Sequence, residues 1–161
     1  MAYKNNMSDL EVIGRNLEFE RLRSNMTRKE FANRISYDRG LYSKLVKSQN
    51  QDLELNSLIK IARSLDIDVS LLLSRSYIDD FKERKAEECR YIERDYQILL
   101  ADNIRAALEE KGMCQDIGIN RETVNRLINY HVKNPRISTL SIIAADLKVS
   151  LSSLFRGGNE L

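Results

Sequence analysis

Thr27-Arg-Lys-Glu-Phe-Ala-Asn-Arg-Ile-Ser-Tyr-Asp-Arg-Gly-Leu-Tyr-Ser-Lys-Leu-Val-Lys47 reads as two short helices with a tight corner between them. Thr27 is placed to cap the first helix, and Glu30 stands three residues on, at the capping-box spacing. Phe31, Ala32 and Ile35 then fall on one face at helical spacing. Ser36 and Tyr37 make the corner. Asp38 is suited to cap the second helix, because its carboxylate can accept orphan backbone N–H groups. Tyr42, Leu45 and Val46 give that helix an inward face, with Tyr42 read as core. Arg39, Ser43, Lys44 and Lys47 are left outside. A small residue at the inter-helix contact, Ala32, and polar tips on the second helix are what a helix-turn-helix needs.

This stretch resembles the phage Cro/repressor-type, or XRE, helix-turn-helix family. The family pattern has a Ser/Thr-Gln start, an Ala in the first helix, a Leu-Gly-Val-Ser corner, and a Gly after the second helix. Here the corner is Ile35-Ser36-Tyr37-Asp38, the usual Gln is Arg28, and the Gly positions hold Ser36 and Ser48. The likeness continues: Leu58, Ile61, Ala62, Leu65 and Ile67 match the family's fourth helix, and Asp68-Val69-Ser70-Leu71-Leu72 its fifth.

The chain has 161 residues, 42% hydrophobic and 31% charged, with one Pro and six Gly. That composition allows a buried core and favours an all-α fold with short loops. The formal net charge is only +2, so the sum does not point to nucleic acid, but the distribution does. From Arg21 to Lys47 there are eight basic residues against two acidic ones, Glu30 and Asp38. Motif and positive charge coincide, as a phosphate-binding surface requires. Cys89 and Cys114 are too few for a disulfide framework and read as reduced thiols. With no long apolar run and no signal peptide, the expected location is the cytoplasm.

A first helix is expected from about Asp9 to Ser24, and the polar run 48–52 is a loop after the helix-turn-helix. Residues 9–75 then make a first domain. The stretch 76–97 alternates charges of both signs and reads as a solvent-exposed linker helix, with Ser76 and Asp79 as a weaker capping box. Its apolar residues, Ile78, Phe81, Cys89, Ile92, Tyr96 and Leu99, form a stripe that packs within the chain or on a second copy.

Then the sequence repeats itself. Leu140, Ile143, Ala144, Leu147 and Val149 echo Leu58, Ile61, Ala62, Leu65 and Ile67, each pair 82 residues apart. The same offset carries Asp38 to Asn120 and Arg39 to Arg121. Residues 98–156 therefore read as a second, shortened unit, with the corner Ile117-Gly118-Ile119-Asn120. Twelve residues run from Met26 to Asp38 but only seven from Met113 to Asn120, so the first helix of the second motif is about five residues short. Around Cys114-Gln115-Asp116 it has room for about one turn.

No enzyme signature is present. His131, the only histidine, lies in a loop after the second motif, and no cysteine or histidine cluster has metal-ligand spacing. No Gly-rich phosphate loop occurs, and neither a metal nor another cofactor is expected. The resemblance assigns base contacts to Arg39, Gly40, Ser43 and Lys44, and phosphate contacts to Arg28 and Lys47. Arg121, Glu122, Asn125 and Arg126 are the matching residues of a second head.

What the resemblance implies is a sequence-specific regulator of transcription on double-stranded DNA, a repressor, since repression needs only promoter occupancy. The alternative is an antitoxin or phage-type inhibitor whose second unit grips a partner protein while the first autoregulates on DNA. A linker helix over Tyr77 to Leu100 would span about 36 Å, close to the ~34 Å between successive major-groove half-sites. One chain could then be a pseudo-dimer. The shortened second unit and the acidic Glu122 favour instead a homodimer joined through the apolar stripe and reading a palindrome.

Overall fold

The first helix, α1 (Asp9–Arg23), starts where Ser8 and Glu11 close a reciprocal capping box. The same device starts α2 (Arg28–Arg34): Thr27 accepts from Glu30 N, and the Glu30 side chain accepts from Thr27 N. Asp38 caps α3 (Arg39–Val46) by accepting from Leu41 N at 2.9 Å. The computed structural model describes residues 7–49, 52–112 and 121–157. Helices α4 (Leu55–Leu65), α5 (Val69–Leu72) and α6 (Tyr77–Asp80) follow, then a 3-10 turn at Ala86–Cys89. Helices α7 (Tyr96–Glu110), α8 (Arg121–Ile128) and α9 (Ile137–Asp146) lead to a closing 3-10 turn at Leu151–Phe155. Among the described residues the fold is all-α, and its one β feature is an isolated antiparallel bridge between Glu54 and Arg136.

The charged stretch 76–97 is not a linker helix. It breaks after the single turn of α6, and Ser76 makes no side-chain cap. Phe81 turns inward, its ring 5.2 Å from that of Phe19 and 6.3 Å from that of Tyr77. The chain then folds back over α4 and α5. Asp68 N donates to Cys89 O at 2.9 Å, Tyr91 N donates to the Asp66 carboxylate at 3.3 Å, and Arg63 reaches Glu93 at 2.7 Å. A solvated helix there would gain only a few tenths of a kcal/mol per side-chain ion pair, so contacts with the folded body win. The expected apolar stripe is broken up accordingly. Tyr96 belongs to α7 and meets Phe155, with ring centroids 6.1 Å apart, whereas Ile92 stays exposed. Helix α7 starts at its Asp95 cap.

The repeat read from the sequence extends to geometry. Helices α1 and α7 each have 15 residues and lie 87 apart; α3 and α8 each have eight and lie 82 apart. The change of offset falls across the five-residue shortening at 113–120, which lies outside the described residues, as does the predicted corner at 117–120. Buried Asn16 donates from Nδ2 to Leu72 O at 3.0 Å and Ser74 O at 2.9 Å. Asn103, its counterpart 87 residues on, donates to Leu154 O and Arg156 O, both at 2.9 Å. Each amide ties its helix, α1 or α7, to the end of a later element, α5 or the closing 3-10 turn. Left-handed residues recur in the same pairs, Ser48 with Tyr130 and Asp66 with Lys148.

The halves meet in a reciprocal seam. Leu55 N donates to Pro135 O at 2.9 Å, and Ile137 N donates to Leu53 O at 2.8 Å. Shifting by 82 residues exchanges these two bonds, so a local two-fold axis passes between Glu54 and Arg136. The helix caps are crossed in the same way. Asn56 N, at the start of α4, donates to Asn134 Oδ1 at 2.8 Å, and Ser138 N, at the start of α9, donates to Asp52 Oδ1 at 3.3 Å. Neither helix is capped by its own preceding residue. On the same seam α5 lies against the closing 3-10 turn, its own counterpart. One continuous core runs from Ile13 and Leu17 through Leu58 and Leu72 to Leu140 and Phe155.

Replacing Asn16 by Ala removes the amide donor from Leu72 O and leaves Ser74 O only its 3.3 Å bond from Tyr77 N, and is expected to destabilise the chain by about 1–3 kcal/mol. Urea denaturation followed by helical circular dichroism checks this. Because the core is shared, the transition should stay single.

Candidate nucleic-acid interface

The position of α3 is set by α1. Gly14 lies inside α1, where α3 crosses it, and a Cβ built there would stand 2.6 Å from Leu45 O. Only glycine lets the two backbones approach this closely. Tyr42, fully buried, adds a directional tie: its hydroxyl donates to Glu18 at 2.8 Å. Glu18 also accepts from Arg21 at 2.6 Å and lies 3.5 Å from Arg28. The Arg21 hydrogen bond holds the Glu18 carboxyl below the usual range against the opposing effect of burial, while burial and Glu18 push the Tyr42 phenol up. The residue read as plain core is thus also a polar strut between α1 and α3.

The corner between α2 and α3 keeps a glycine-like backbone without glycine. Ser36 has φ 52° and Ser48, just past α3, φ 56°. These are the two places where the helix-turn-helix pattern carries Gly, and the left-handed conformation is retained at a modest strain.

With Phe31, Ala32, Ile35, Tyr42 and Leu45 buried, the outer face of α2 and α3 is basic. Arg28, Lys29, Arg34, Arg39, Lys44 and Lys47 are exposed, and Ser43 is half-buried beside them. Among the described residues, Lys29, Arg39, Lys44 and Lys47 stand in no ion pair. Arg28 is shared with Glu18 and is the least free of the expected phosphate contacts. At Gly40 an added Cβ would meet only the Asp38 carboxylate, at 3.1 Å, so internal packing against the rest of the protein does not demand this glycine.

In the second half α8 exposes Arg121, Glu122, Asn125 and Arg126 and buries Val124 and Leu127. Its support differs. The counterparts of Gly14, Glu18 and Tyr42 are Ala101, Arg105 and Val124. Arg105 donates to Ile128 O and lies over the Tyr130 ring, 5.7 Å from its centroid. His131 is exposed in the loop after α8, its backbone N–H donating to Arg126 O at 2.8 Å. Among the described residues no three His, Cys, Asp or Glu side chains converge as metal ligands, and no helix is long and apolar enough to cross a membrane.

Comparison with known proteins finds no match for this chain among family models, curated proteins or solved structures. The site is therefore read from its own geometry. Sequence reasoning placed the exposed residues of α3 and α8 but missed Gly14, Asn16 and Glu18. Each had a signal: a Gly inside a helix, an Asn between the apolar Ile13 and Leu17, and a Glu three residues before Arg21.

Gly14→Ala is expected to force α1 and α3 apart and to destabilise the chain by about 1–3 kcal/mol, the usual range for overpacking. Ala101→Gly, at the matching place in α7, should cost only about 1 kcal/mol through helix propensity. Thermal denaturation of the two variants checks the contrast.

Proposed function

We propose that this chain is a sequence-specific double-stranded DNA-binding protein that regulates transcription, acting as a repressor by occupying its site. The observation that carries the reading is the outer face of α3. Arg39, Gly40, Ser43 and Lys44 stand on a short capped helix whose inner face is locked by Gly14, Tyr42 and Glu18. A helix held this rigidly, with unpaired cations at its tip, is suited to enter a major groove. Arg39 can pair with the O6 and N7 of a guanine, Lys44 with a base edge one turn later, and Lys47 and Arg28 with phosphates. Lys29 and Arg34 extend the cationic surface on α2. Nothing in this role calls for a cofactor.

The test is a duplex selected from a random pool with the full chain. Log affinity should fall against log salt with a slope of about −0.9 per phosphate contact, and a slope near zero overturns the reading. Arg39→Ala and Lys44→Ala should each weaken the selected site roughly ten- to hundredfold, with melting unchanged because both side chains are exposed.

A further inference from the structure

We infer that a single chain carries the whole reading surface, and that its partner is a DNA site with two unequal half-sites, bound one chain per duplex. This rests on the DNA-binding reading above and specifies what that DNA is. It also replaces the palindrome-reading homodimer expected from the sequence.

The first support is the seam. Two-headed readers present equivalent helices about a two-fold axis, matching the local dyad of the duplex. Here that axis exists inside one chain. The paired bonds Leu55–Pro135 and Ile137–Leu53 exchange under the repeat, and so do the crossed caps Asn56–Asn134 and Ser138–Asp52. Helices α3 and α8 stand at equivalent places along the chain relative to it, each ending eight residues before the bridge residue of its own half, Glu54 or Arg136.

The second support is charge. A residue on a two-fold axis faces its own copy in a homodimer, and like charges directly opposite each other destabilise a bridge. Joining two first halves would set Glu54 against Glu54. In the single chain the axis holds Glu54 opposite Arg136. The seam is complementary because its two sides differ. It is also used up: the backbone groups a second copy would need are already paired within the chain.

The third support is the difference between the heads. Arg39, Gly40, Ser43 and Lys44 are replaced on α8 by Arg121, Glu122, Asn125 and Arg126. The two arginines can each select a guanine. Asn125 suits adenine and Glu122 a cytosine amine, neither of which α3 offers. Two-fold placement with unlike side chains specifies a site that is dyadic in spacing and asymmetric in sequence.

Full-length protein is used to select duplexes from a random pool. The complexes are weighed by native mass spectrometry, and preferences are compared for wild type, Arg39→Ala and Arg121→Ala. The expected result is one chain per duplex on a non-palindromic site with two clusters of preference about 10 base pairs apart. Arg39→Ala should relax one cluster and Arg121→Ala the other, each by roughly ten- to hundredfold. Unchanged thermal melts show that both variants keep the fold. Two chains on a palindrome, or an Arg121→Ala variant with unaltered affinity and preference, overturns this inference while leaving the DNA-binding reading in place. If no duplex is enriched, both fall.

Discussion

The crossed caps at the starts of α4 and α9 are the constraint on which the rest of the arrangement depends. The first backbone N–H groups of a helix have no partner within it and must find one elsewhere. In this chain the partner comes from the opposite half: Asn134 serves α4 and Asp52 serves α9. Each such bond contributes only about 1 kcal/mol, far less than the apolar core beneath. Their weight lies in direction. Apolar contacts tolerate sliding, whereas two crossed caps and two bridge bonds are satisfied together at one register only. That register sets α5 on the closing turn.

Equivalence of the backbone does not extend to the way each exposed helix is held. In the first half Gly14 admits α3 to the backbone of α1, and Tyr42 and Glu18 fix it by a buried hydrogen bond. In the second half Ala101 stands where Gly14 stands in the first, and Arg105 grips α8 from its end through Ile128 O. The polar tie has moved from the middle of the helix to its terminus. A middle tie fixes rotation about the helix axis, while an end tie fixes mainly position. Helix α3 is the more tightly oriented of the two.

Much of this was legible in the sequence because it is local. The Thr27–Glu30 box, the Asp38 cap and the burial of Phe31, Ile35 and Leu45 follow from spacing within a few residues. The repeat was legible as well, because Leu58, Ile61 and Ala62 recur at one offset. The fate of 76–97 was not. Its charges and its lack of Gly or Pro satisfy helix propensity, and only Phe19, Asp66, Asp68 and Arg63, distant in sequence, decide otherwise. The seam was hidden for a related reason. Asp52 and Asn134 look like ordinary loop residues, and their partners lie about 80 residues away.

That the seam lies within one polypeptide also governs how it responds to dilution. An interface between separate subunits comes apart as their concentration drops, and binding that depends on it falls with the square of protein level. Here the chain from Arg75 to Tyr96 tethers the halves, so each sees the other at an effective concentration fixed by the tether. Scarcity lowers the number of molecules but not the integrity of any one of them.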